Sequence, residues 1–181
     1  MPQKAKMPEE IDKQITNLIK ELTKYDDLEY SIEREEALNK IRDKLVSIGK
    51  PAVPQLIERL NRHDAISCWY AVDALGKIGD NRAMKPLVDV LEDREIGEKA
   101  KEALKNFGPA CIQEVIKKVR YRIAHPIKKG FGRDRITAPG LSTIGEIRCD
   151  KSIKFLNELL DDSAFFFLSF CDSRCPSSKL S

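Results

Sequence analysis

Four glycines, Gly49, Gly79, Gly108 and Gly145, each close a run of apolar residues at helical spacing, and they stand 30, 29 and 37 residues apart. A recurring stop of this kind restricts the chain to few folds. A period near 30 residues marks stacked units, each too small to bury its apolar face alone. The sharpest unit runs from Ala71 to Leu91 and reads AVDALGKIGDNRAMKPLVDVL. Ala71, Ala74, Leu75 and Ile78 follow a helical period, with small residues where a neighbouring helix must come close. Gly79 then suits a left-handed C-terminal cap. Asp80 can accept backbone N–H bonds as the next helix begins. Pro86 is tolerated only near the start of that helix, so Asn81 to Lys85 should form an irregular turn.

The flanking copies are weaker but complete. Ile41, Leu45 and Ile48 precede Gly49 and then Val53, Leu56 and Leu60. Ala100, Ala103, Leu104 and Phe107 precede Gly108 and then Ile112, Val115, Ile116 and Val119. Leu141 and Ile144 precede Gly145 and then Ile153, Leu156 and Leu159. The phrase A-x-x-A-L-G-x-I-G-D over Ala71 to Asp80 resembles the short HEAT-like repeat of phycobilin-lyase-type proteins. That resemblance is sharpest there, fair from Ala100 to Val119, and covers roughly residues 31–162. It implies an all-α fold, an α-α superhelix (HEAT-like α-solenoid) of about four helical-pair repeats. It also implies that second helices line a concave face that usually binds another macromolecule. Fold is what such a motif specifies; scaffolds, lyase subunits and metal-dependent hydroxylases all use it.

The expected organisation follows from these marks. Residues 1–30 form an N-terminal capping helix with the stripe Ile11, Ile15, Leu18, Ile19 and Leu22. Repeats occupy about 31–62, 63–94, 95–124 and 137–162. A basic loop insertion fills 125–136, and 163–181 is an atypical hydrophobic tail. Ser31 is placed to cap the first helix of the first repeat. Pro51 and Pro54 sit in the first turn after Gly49, where few internal N–H donors are needed. Pro139 and Gly140 leave the first helix of the fourth repeat short.

Composition narrows the class. With 41% hydrophobic and 34% charged residues, the 181-residue chain suits one helical-repeat domain rich in exposed helix faces. No apolar run is long enough to span a bilayer. The first ten residues lack the apolar core of a signal peptide. Five cysteines without paired spacing point to a reducing compartment, and cytoplasmic localisation is the expectation. Cys68 and Cys111 fall among apolar positions and read as core thiols.

Catalytic signals are weak. Hydroxylases of this repeat class carry paired His-Glu steps as metal ligands, whereas the histidines here read His63-Asp64 and His125-Pro126. His63 fits better as a charge at a helix C-terminus. Trp69 with Asp73 one turn on could clamp an extruded base, as in HEAT-like glycosylases. The simpler expectation is that Trp69 packs against the next repeat and Asp73 faces solvent. There is no Ser-His-Asp set, no metal cluster and no phosphate loop, so we expect no enzyme, no cofactor and no metal site.

The charge distribution is the strongest functional hint. From Val115 to Lys154 eleven Lys and Arg face three Asp and Glu, a local charge of +8 in a chain whose total is +3. Such asymmetry favours anionic partners. Lys117, Lys118, Arg120 and Arg122 share the second helix of the third repeat, and Lys128, Lys129, Arg133 and Arg135 follow on the loop. These eight are the candidate partner-binding residues. Gly130-Phe131-Gly132 lets backbone approach an anion but lacks the strand and the rest of a nucleotide fingerprint. In the tail, Ala164 to Phe170 has no polar face and is too short to cross a membrane. Cys171 and Cys175 make only a weak zinc signal. The ending Lys179-Leu180-Ser181 is not the peroxisomal order.

Three readings result. The first is a non-catalytic scaffold that binds another protein with an acidic face through its concave helices, not a membrane. The second is a nucleic-acid-binding module using the 115–154 region, with Trp69 available for stacking. The third, suggested by the resemblance alone, is a lyase-like subunit handling a bilin or similar cofactor.

Overall fold

The computed structural model describes residues 8–61, 66–125 and 134–161. Among them lie nine α-helices and no strand: α1 (Pro8–Thr23), α2 (Ile32–Ile48), α3 (Val53–Leu60), α4 (Ile66–Ile78), α5 (Met84–Asp89), α6 (Gly97–Phe107), α7 (Ile112–Ala124), α8 (Asp134–Glu146) and α9 (Asp150–Asp161). They form two layers. In one, α2, α4, α6 and α8 pack in succession; in the other, α1 lies on α3, α5 on α7 and α7 on α9. Between the layers α1 packs on α2, α3 on α4, α5 on α6 and α7 on α8, so the second helix of each unit lies against the first helix of the next.

Three of the stop glycines end the first helix of a unit, following Ile48, Ile78 and Phe107. Gly49, Gly79 and Gly108 have φ of 75°, 67° and 56°, and they are the residues with positive φ among those described. Gly49 and Gly108 combine this with ψ of −136° and −140°. That is not the left-handed helical cap expected from sequence but a region only glycine occupies at low cost. It feeds the chain directly into a 3-10 turn, Lys50–Ala52 after Gly49 and Gly108–Cys111 at the third unit. Proline at the start of each turn needs no N–H partner. Asp80 caps the corresponding turn in the second unit, where the Arg82 N–H donates to its carboxylate at 2.9 Å. Ser31 caps α2 as expected, accepting from the Arg34 N–H at 3.1 Å.

One continuous apolar core runs between the layers. Ile15 and Leu22 of α1, Leu45 of α2, Leu56 of α3, Leu75 of α4, Leu87 of α5 and Leu104 of α6 are all essentially inaccessible. Cys68 and Cys111 are buried among them, and burial pushes the Cys111 thiol up to about 11. The helices meet closely where residues are small. A Cβ on Gly76 would lie 2.6 Å from Cβ of Ala103, so α4 and α6 touch there.

The fourth unit departs from expectation. Its first helix is not short: α8 starts at Asp134, inside the stretch read as loop, and carries Pro139 within it. Gly145 does not end it, because helix continues to Glu146 and the Ile147 N–H still bonds the Thr143 carbonyl at 3.0 Å. The reason is packing. Ile144 is fully buried and Ile147 is 7% exposed, so both need the helical register held past Gly145. Gly140 brings α8 against α7, since a Cβ there would meet Cγ2 of Val119 at 2.6 Å.

Candidate functional site

The four candidate cations of α7 all lie on its surface, and the structure pairs each with a carboxylate. Val115, Ile116 and Val119 take the buried stripe, which divides the charged positions between two sides of the helix. Lys118 and Arg122 reach back to the second unit. Lys118 meets Asp89 at 3.1 Å, and Arg122 makes a two-pronged pair with Glu92, with Nε at 2.8 Å from Oε1. Arg120 reaches forward to Glu158 of α9 at 2.9 Å, with its guanidinium 5.3 Å from the centre of the Phe155 ring. Lys117 pairs within its own helix, with Glu114 at 2.6 Å. Accessibility separates them: Lys117 and Arg120 are 69% and 62% exposed, Lys118 and Arg122 only 21% and 22%. Lys128, Lys129 and Arg133 lie outside the described residues, as do His63 and the tail from Ala164 to Cys175. Arg135 belongs to α8.

Asp73 does not face solvent. It is 13% exposed and receives Arg42 of α2 at 3.1 Å, Lys77 of its own helix at 3.2 Å and Lys99 of α6 at 3.1 Å. Burial pushes its carboxyl up, but the hydrogen bonds from Lys99 and Lys77 outweigh that, and it ends below the ordinary carboxylate value. A carboxylate held by three cations joins three successive helices of one layer; it is poorly placed to serve as a base. Trp69 does meet the neighbouring repeat: the Lys99 ammonium lies 4.3 Å from its ring centre. It also contacts Tyr70 edge to face at 4.9 Å.

The turn between α1 and α2 is anchored by a polar knot. Asp26 accepts from the backbone N–H of Ser67 at 2.8 Å and from its hydroxyl at 2.9 Å. It thus caps α4 from far away in sequence. The same carboxylate takes Arg59 of α3 at 2.9 Å, and Arg59 is 8% exposed. Arg34 donates to the carbonyls of Leu28 and Tyr25, the latter at 2.6 Å. These bonds fix residues 25–30 across the ends of α2 and α4.

That arrangement opens a groove of about 440 Å³ at the edge where α2, α4 and α6 begin. Leu38, Tyr70 and Ile96 form its floor and are almost fully buried. Ile66 and Trp69 are half-buried on its wall. Tyr30 stands at the mouth, 72% exposed, and donates its hydroxyl to Oε2 of Glu35 at 2.7 Å. That bond raises the Tyr30 phenol above its ordinary value. Burial, then the charge of Glu35, does the same for Tyr70. Glu35 and Glu95 are the exposed carboxylates of the lining. Sequence reading missed this site. Its one available signal was the run Leu28, Tyr30, Ile32, apolar residues at alternate positions between two helical patterns.

Residues 68–93 match the family model described as the PBS lyase HEAT-like repeat. The chain carries a HEAT-like repeat. The matched HEAT-like segment takes in most of α4, the Gly79–Asp80 turn and α5. It thus includes the Asp73 junction and the Trp69 wall of the groove. No curated protein and no solved structure matched the chain. Among the described residues, no three His, Cys, Asp or Glu side chains group as a metal site, and no helix is long and apolar enough to cross a membrane.

Proposed function

We propose that this HEAT-like chain is a non-catalytic scaffold that binds another protein. The observation that carries the reading is the aromatic groove on the edge of a cross-linked helical stack. Interfaces are enriched in aromatic side chains, and the groove combines a fixed apolar floor with an exposed tyrosine at its mouth. The basic stretch enters as a second contact. Lys117 and Arg120, the more exposed cations of α7, with Lys128, Lys129, Arg133 and Arg135, would meet an acidic face of the same partner. Lys118 and Arg122 would serve instead as joints between repeats.

The test is site-specific photocrosslinking in cells, with a benzophenone amino acid at position 30, at position 117, or at position 40 on the outer surface of α2 as control. A discrete, nuclease-resistant protein adduct from position 30, absent at position 40, supports the reading. Adducts that vanish with nuclease treatment would make the module a nucleic-acid binder; no adduct above the control would remove the scaffold reading.

A further inference from the structure

The groove also has a chemistry that specifies its occupant. Five large hydrophobic residues are strongly exposed among those described, and three of them, Leu28, Tyr30 and Ile32, lie within five positions of the chain, with Tyr30 in the groove lining. Single exposed apolar residues need no explanation, but a cluster beside an apolar cavity marks a contact surface. The surface is also acidic. Its described lining holds the carboxylates of Glu35 and Glu95 against the guanidinium of Arg34, and Asp27, Glu29, Glu33 and Glu36 are exposed near Glu35 in sequence. That guanidinium is already committed to the Leu28 and Tyr25 carbonyls. Across the opening, Glu95 is exposed and its carboxylate makes no hydrogen bond or ion pair among the described residues.

We propose that the groove takes a basic, apolar-flanked peptide segment of a protein partner. In this arrangement an aliphatic or aromatic side chain fills the floor over Leu38 and Ile96, against the Ile66 wall. A neighbouring Lys or Arg lies against the Tyr30 ring with its charge between Glu35 and Glu95. Tyr30 engages only Oε2 of Glu35, which leaves Oε1 to receive the cation. Of the three aromatic rings in the described lining, that of Tyr30 is left for it, because Lys99 already lies over Trp69 and Tyr70 is almost fully buried. A cation between an aromatic face and two carboxylates gains from both, and Arg or Lys stems cover apolar surface as they reach it. An acidic peptide would bring its charge against Glu35 and Glu95 and is excluded. The inference rests on the protein-binding reading above and adds to it the charge and apolarity of the bound segment.

Trp69 is the chain's sole tryptophan, so its emission reports the groove directly. The full chain is titrated with three unlabelled hexapeptides, binding being read by calorimetry and by Trp69 emission: acetyl-Leu-Arg-Phe-Leu-Lys-Ala-amide, its counterpart with Glu for both basic residues, and hexalysine. The first peptide is expected to bind in the micromolar range and shift Trp69 emission, while the other two bind at least tenfold more weakly. Glu35→Gln with Glu95→Gln, and separately Tyr30→Ala, should each weaken the first peptide about tenfold. All three side chains are exposed, and unchanged circular dichroism checks that these variants fold. Equal binding of the acidic peptide, or binding without a Trp69 response, overturns the proposal. So does a concentration-dependent dimer that Tyr30→Ala abolishes, since the occupant would then be a second copy. A protein crosslinked at position 30 together with failure of the basic peptide would leave the scaffold reading standing and remove only this inference.

Discussion

Asp80 shows how one carboxylate can hold a turn. It is 9% exposed, and the side-chain and backbone hydrogen bonds of Arg82 lower its pKa to about 2. Arg82 goes on to the Lys50 carbonyl at 3.0 Å, which links the turns of the first two units. Asp73 is also lowered, in its case against the cost of burial. In the unfolded chain both aspartates return to about 3.9. A folded pKa below the unfolded one contributes stability that is fully present above about pH 4. It is lost as pH falls through the folded values. Thermal melts should therefore drop between about pH 4 and pH 2, and Asp80→Asn should lower the neutral-pH melting temperature while flattening part of that acid limb. A variant that keeps the wild-type acid slope would remove Asp80 as its source. The Asp80 cap was legible in sequence because it follows a stop glycine directly. The role of Asp73 was not, since Arg42 and Lys99 lie about one repeat away on either side and only stacking brings them together.

At the scale of single elements, two glycines three residues apart do opposite things. Gly79 supplies a positive φ with nothing within 4 Å of a would-be Cβ, so its demand is purely conformational. Gly76 sits inside α4, where a Cβ would lie 2.6 Å from Cβ of Ala103 and 2.7 Å from its Cα, so its demand is purely steric. Gly79→Val should cost about 1–3 kcal/mol through backbone strain, and Gly79→Asn clearly less, because asparagine tolerates positive φ better. Gly76→Ala, a change usually favourable in a helix, should cost about 1–3 kcal/mol through overpacking. Urea denaturation of the three variants separates the effects; a neutral Gly76→Ala would mean that α4 and α6 can move apart freely. The stop at Gly79 was readable from the end of the apolar period. The close approach at Gly76 was not, because the same letter in the same phrase gives no sign of the helix opposite. Gly145 misled for a related reason: glycine after an apolar run reads as a stop, but burial of Ile147 carries α8 past it.

Across the whole molecule, every junction between successive units carries cross-unit ion pairs as well as apolar contact. Arg42–Asp73 joins the first and second units; Lys99–Asp73, Lys118–Asp89 and Arg122–Glu92 join the second and third; Lys101 and Lys105 with Glu146, and Arg120–Glu158, join the third and fourth. A stack in which units touch only their neighbours owes its cooperativity to these interfaces. The basic region flagged by sequence is thus partly structural, since three of its four described α7 cations bridge units. Composition reveals an excess of charge but not the carboxylate a repeat away that answers it. The second–third and third–fourth junctions carry three pairs each, and those of the former are the more buried. Arg122 and Glu92 are 22% and 16% exposed, and Asp73 is 13%. Exposed pairs are worth about 0–1 kcal/mol, whereas stripping one partner from a buried pair costs about 3–5 kcal/mol, so these should fall between. Lys99→Ala with Arg122→Ala, which spares the Arg42–Asp73 link to the first unit, should therefore weaken this one junction by roughly 2–5 kcal/mol while leaving each half's own core intact. If coupling between halves depends on it, urea unfolding should split or broaden and the apparent m-value should fall. Lys117→Ala, which removes a pair within one helix, should stay within about 0.5 kcal/mol of wild type with m unchanged. A single transition of unchanged m in the double variant, merely shifted to lower urea, would place the cooperativity in the apolar contacts of Leu75, Ala103 and Leu104 and reduce the ion pairs to added stability.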